Sequence, residues 1–62
     1  MTHHLVGIAE IATMIDVTRQ RVHQLARDDP TFPAPAAVLS AGVVWRRVAI
    51  EEWARRTGRI IG

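Results

Sequence analysis

The sequence predicts a small, mainly α domain carrying one β-hairpin, in the order helix, turn, helix, hairpin, helix. Three observations carry that reading. Apolar residues recur at helical spacing in three separate stretches. Only Asp16, Val17 and Thr18 separate the first two of them. Pro30, Pro33 and Pro35 bar any helix from crossing the middle of the chain, because proline fixes φ and lacks an amide donor.

Ile8, Ile11, Ala12 and Ile15 fall at i, i+3, i+4 and i+7, the spacing of one helical face. Gly7 is an acceptable N-cap, Glu10 suits the positive end of the helix dipole, and Leu5 and Val6 are placed to fold back onto this helix. The second helix is expected from Thr18 to about Asp28. Thr18 is its N-cap, with Val22, Leu25 and Ala26 as the apolar stripe. So short a connection needs one residue at positive φ, and Asp16 is among the few non-glycines that tolerate it. Two helices joined in this way make a helix-turn-helix unit.

Phe32, lying between prolines, is expected to anchor the loop that follows. Ala37–Leu39 and Val43–Arg46 read as two short strands around Ser40-Ala41-Gly42, with the glycine supplying the turn. A two-stranded hairpin is marginal alone and has to pack on the helices, which falls to Trp45. In the third helix, AIEEWARR, Ile50, Trp53 and Ala54 point inward. Glu51 and Glu52 lie in the first turn, Arg55 and Arg56 toward the last, and Gly58 is the stop.

Composition narrows the function classes. The chain has 62 residues, one domain over 1–62, and a chain this short buries only about 60% of its unfolded surface. It has no cysteine, so neither a disulfide nor a thiolate zinc site supports it. No apolar run approaches the roughly 18 residues of a membrane span, and the N-terminus lacks a signal-peptide core, so a soluble, cytoplasmic protein is expected. No paired-carboxylate cleft, Ser/His/Asp arrangement or glycine-rich phosphate loop is present, and an enzyme is not expected. His3, His4 and His23 have no metal-site spacing, so no metal, cofactor or small-molecule ligand is expected either.

Net charge is only +2, yet all eight basic residues are arginine. Arginine's planar fork suits phosphate and guanine, although a GC-rich genome also enriches it. Its distribution is more telling. Arg19, Arg21 and Arg27 form one acid-free block over 18–27, and Arg46, Arg47, Arg55, Arg56 and Arg59 outnumber Glu51 and Glu52 over 46–62. Acids predominate elsewhere: Glu10 and Asp16 before the first block, Asp28 and Asp29 between the two. Positive charge gathered in blocks is how an electrostatic footprint for nucleic acid looks.

The combination of AEIATMIDV, TRQRVHQL, FPAP and VWRRVAIEEW resembles the small winged helix-turn-helix DNA-binding domains of the MerR superfamily, in particular the short AlpA-like and excisionase-like proteins of bacteria and phages. The resemblance covers roughly residues 5–57. It implies that the hairpin is a wing and that VTRQRVHQLAR is a recognition helix. Asp16 departs from the usual turn glycine, Val48 and Ala49 from a polar cap before the third helix, and the tip SAGVV from the usual basic wing. No long coiled coil or effector domain is expected.

With Val22 inward, Gln20, His23, Gln24 and Arg27 point away, and Arg19 and Arg21 lie on opposite flanks. The N-terminal residues of a recognition helix enter the major groove, so Arg19, Gln20 and His23 are the expected base contacts. Arginine can bond guanine O6 and N7 together, and glutamine can do the same with adenine N6 and N7. Thr18, Arg21, Gln24, Arg27, Arg46 and Arg47 are the expected backbone contacts, with Arg46 or Arg47 alternatively pairing with Glu51 or Glu52. Arg55, Arg56 and Arg59 are expected to be solvated, Trp45 and Trp53 to be core. The expected partner is double-stranded DNA, with a second copy on an adjacent half-site, an integrase or RNA polymerase supplying further affinity. The competing reading is a protein-interaction module on the same scaffold, using the apolar Ala36–Trp45 hairpin as an edge.

Overall fold

The computed structural model describes residues 4–59 and contains three helices and a three-stranded antiparallel sheet: β1 (Leu5–Val6), α1 (Ile8–Ile15), α2 (Arg19–Asp28), β2 (Ala37–Leu39), β3 (Gly42–Arg46) and α3 (Arg47–Arg56). None of the helices is long and apolar enough to cross a membrane.

α1 begins at Gly7, whose amide donates to Glu10 Oε1 at 2.8 Å. It ends in a reversal at Asp16, which has φ 58°. There the Val17 amide donates to Ala12 O (3.0 Å) and the Asp16 amide to Thr13 O (3.4 Å). These are the paired bonds of a Schellman ending, which satisfies carbonyls the helix would otherwise leave bare. The short side chain of aspartate is what makes this conformation tolerable. Two residues later Thr18 Oγ1 accepts from the Arg21 amide (3.1 Å) and starts α2. The connection is as tight as the sequence predicts, and α1 and α2 pack against each other.

Ala26, expected on the inner stripe of α2, is exposed. The buried residues are Val22 and Leu25. At about 100° per residue, Val22, Leu25 and the half-buried Asp29 define the inward line, and Ala26 falls well to one side of it. α1 is buried more broadly than one face, since Met14 joins Ile11, Ala12 and Ile15 in the core.

The sheet has one strand more than expected. Leu5 and Val6 do not simply fold onto α1; they pair with Arg46 and Trp45, making β3 the central strand in the order β1-β3-β2. Pairing sets the faces: Val6 and Trp45 lie opposite each other and are both buried, while Leu5 and Arg46 are exposed. On the other side Ala37, Val38 and Leu39 pair with Val44, Val43 and Gly42, so that Ser40 and Ala41 alone make the turn. Gly42 opens β3 at φ 141°, which a side chain would disfavour.

α3 starts two residues earlier than the AIEEWARR reading and has no side-chain cap. The residue before β1 takes over that role: the Arg47 amide donates to His4 O at 2.7 Å. Glu51 and Glu52 consequently fall in the second turn, and no acid occupies the first. α3 closes on Gly58 (φ 74°), with the Arg59 amide bonded to Ala54 O (2.8 Å) and the Gly58 amide to Arg55 O (3.2 Å), a second Schellman ending.

One core joins β1, the three helices and β3: Val6, Ile11, Ala12, Met14, Ile15, Val22, Leu25, Trp45, Ile50, Trp53 and Ala54, with no buried polar residue among those described. Phe32 anchors the proline loop as expected, edge-on to Trp45 (5.7 Å between centroids) and to Trp53 (4.8 Å). Both indole N–H groups are satisfied by the same loop. Trp45 Nε1 donates to Pro33 O (2.9 Å) and Trp53 Nε1 to Thr31 Oγ1 (3.0 Å).

Candidate nucleic-acid interface

α2 presents the candidate site. Val22 and Leu25 fix it to the core, and the Thr18 cap fixes where its first turn begins. That leaves Thr18, Arg19, Gln20, Arg21, His23 and Arg27 exposed together on one short helix, and Gln24 half-buried. No acid lies in the first turn; Asp28 is the first acid that α2 contains. The outermost line runs through Gln20 and Arg27, with His23 and Gln24 to either side of it. Arg19 lies on one flank and Arg21 on the other.

Two of these side chains have partners on the helix itself. Arg21 Nη1 donates to Gln24 Oε1 at 3.3 Å, which leans the guanidinium along α2 toward its C-terminus. Arg27 Nε donates to Asp28 Oδ1 at 3.1 Å, with both side chains about two-thirds exposed (68% and 67%). An ion pair that open is worth at most about 1 kcal/mol, so it does not withhold Arg27 from a phosphate. Arg19, Gln20 and His23, the expected base contacts, make no side-chain hydrogen bond to another described residue.

Arg46 and Arg47 belong to a different part of the surface, the junction of β3 with α3. Arg46 is exposed opposite Leu5. Arg47 is half-buried and its Nε donates to Glu51 Oε2 at 3.1 Å, the carboxylate pairing that the sequence offers as the alternative to phosphate. No hydrogen bond or ion pair among the described residues joins this pair to α2.

A polar relay closes the C-terminal end of α2. Asp29 caps the helix, and its Oδ1 accepts from the Thr31 hydroxyl (2.6 Å) and the Thr31 amide (2.8 Å). These two bonds, the hydroxyl's first, hold the Asp29 carboxyl below its ordinary value of 3.8, and the charges of Arg59 and then Arg21 add to the effect. Thr31 in turn accepts from Trp53, so one chain of bonds runs from α2 to α3.

Arg59 is not the solvated residue that the sequence suggests. It is half-buried, its guanidinium carbon 4.9 Å from the centroid of the Trp53 ring. The signal for it is Gly58, which reverses the chain and turns the next residue back toward α3. Among the described residues no group of His, Cys, Asp or Glu is arranged to hold a metal ion. His23 and His4 are both exposed, and His3 lies outside the described residues.

Comparison with known proteins returns no matching family model, no matching curated protein and no matching solved structure.

Proposed function

We propose that this chain is a sequence-specific double-stranded DNA-binding protein of the winged helix-turn-helix type, working in the cytoplasm as a transcriptional regulator or an excisionase-type recombination factor. The observation that carries the reading is α2: a capped helix, docked by Val22 and Leu25, whose outward face offers arginine, glutamine and histidine and no acid before Asp28. A major groove about 12 Å wide accepts such a helix, and each bidentate base contact discriminates by about 1–3 kcal/mol. Arg19, Gln20 and His23 are assigned to base edges. Thr18, Arg21, Gln24, Arg27 and Arg46 are assigned to the backbone, as is Arg47 once it exchanges Glu51 for a phosphate. Ser40 and Ala41 give the hairpin tip no charge, so the wing adds little to phosphate binding. A single copy binds weakly on these terms, and a second copy, an integrase or RNA polymerase supplies the remainder.

Fluorescence anisotropy of labelled duplexes at two salt concentrations tests this, with an Arg19→Ala/Gln20→Ala variant alongside. The expected slope of log K against log[salt] is about −0.9 for each phosphate neutralised. The double variant is expected to lose sequence preference while keeping most of its non-specific binding. Absence of binding at low salt, or a variant indistinguishable from wild type, overturns the assignment. A second reading has one observation in its favour. Val38 (74% exposed) and Leu39 (51%) lie apolar and uncovered on an edge strand, as a protein-interaction module would require. Binding through that strand is insensitive to salt and abolished by Val38→Lys.

A further inference from the structure

His23 is set apart on α2 by its neighbours. It is exposed, with Arg19 one turn before it and Arg27 one turn after, both exposed as well. At about 100° per residue, positions four apart are turned by only about 40°, so these three side chains follow one another along the helix surface. The His23 ring makes no hydrogen bond and no ion pair with any described residue.

The acids of the molecule are engaged elsewhere. Asp28 is paired with Arg27, and Asp29 takes two bonds from Thr31. On α1, which packs against α2, Glu10 accepts from the Gly7 amide, and Asp16 beyond its end shares a surface depression with Thr18 and Arg19. On α3, Glu51 is bonded to Arg47, and Glu52 lies beside Arg55 and Arg56. His23 therefore has two cations for neighbours and no carboxylate of its own.

Histidine is the side chain whose charge ordinarily changes between about pH 5 and pH 8. In the free protein a proton on His23 adds a third positive charge between Arg19 and Arg27, and like charges one turn apart repel. A duplex reverses that balance, because the phosphates bordering a groove favour the cation. The charge also changes what the ring can read. A neutral imidazole donates through one nitrogen and accepts through the other, whereas the cation only donates. Guanine offers the major groove two acceptors, N7 and O6, and adenine one acceptor and one donor.

Resting on the DNA reading of α2, we propose that His23 binds the duplex as its cation, donating to a guanine edge, so that DNA binding takes up a proton at this residue. Arg19 and His23 then form a donor-only line that selects acceptor-rich base edges, which leaves adenine to Gln20. Affinity rises as pH falls from 8 to 6.

The test is fluorescence anisotropy with a short labelled duplex of mixed sequence, at pH 8 and pH 6 in low salt. Wild type is expected to bind several-fold more tightly at pH 6, and the gain shrinks in high salt as the phosphates are screened. His23→Gln is expected to bind equally at both pH values, and His4→Gln to keep the wild-type dependence. Both replaced side chains are exposed, so circular dichroism is expected to be unchanged. Calorimetric titration at pH 7 in HEPES and in Tris, whose heats of ionisation differ, counts the proton directly: wild type takes it up and His23→Gln does not. A random duplex pool selected at pH 6 is expected to lose one guanine preference in the variant. If wild type binds without pH dependence, or His23→Gln keeps that dependence or selects the same bases, this inference falls and the α2 reading stands. If wild type binds no duplex at either pH in low salt, both fall.

Discussion

The two halves of the molecule are held together by different means. From Gly7 to Asp28 the structure is made by near neighbours: a Schellman ending at Asp16, an N-cap at Thr18 and aliphatic contacts between adjacent helices. From Asp29 to Arg59 it is made by distant ones. Thr31 bonds Trp53, Pro33 bonds Trp45, Phe32 packs on both rings, and Leu5 and Val6 are brought in to complete the sheet. The contrast teaches that the helix presenting the candidate site is shaped locally, whereas its placement depends on a scaffold assembled around two tryptophans.

Breaking the distant half has the largest expected effect. Trp53→Ala empties a fully buried site, at a cost of about 3–5 kcal/mol. In a chain this short a single core rarely supplies more than about 3–5 kcal/mol in all, so the variant is expected to be largely unfolded by circular dichroism at 37 °C. The local half breaks more gently. Thr18→Ala removes one cap bond worth about 1 kcal/mol, and a fall in melting temperature of about 4–8 °C is expected. Any larger loss would mean that the cap also bears on the packing of α2 against α1.

The smallest effect sharpens the boundary between the halves, at Asp29. Its carboxyl titrates lower in the folded protein than in the unfolded chain, so it stabilises the fold above the ordinary value of 3.8. That contribution is lost as pH falls through the lower, folded value. Urea melts between pH 6 and pH 2 are expected to show a steeper acid decline in wild type than in Asp29→Asn, which is less stable near neutrality and converges on wild type in acid. Equal slopes would remove Asp29 from the account.

The same division governs what the sequence discloses. The three-residue connection, the left-handed Asp16, the Thr18 cap and the exposed face of α2 are all legible, because each is decided within a few residues. The third strand is not, since Leu5-Val6 acquires its role only from Arg46 and Trp45 at the other end of the chain. The start of α3 is misplaced for the same reason: its cap is His4 O, a backbone atom that no local pattern announces. Ala26 is misassigned because an apolar residue adjacent to a stripe reads like part of it. The function of α2 is less legible than its shape, for a polar face on a small helix has the same composition whether it meets water or a groove.

The antiparallel ladder between β1 and β3 also has a consequence in time. Leu5 cannot pair until Arg46 exists, and at 5–20 residues per second that takes roughly 2–8 s of synthesis. Helices of this size form in under about a microsecond. α1 therefore has ample time to wind and unwind on the growing chain while the strand just before it has nothing to join. Closing so long a loop is the entropically costly step of the topology. The first of the described strands to be made has to wait for the last of them before it has a partner.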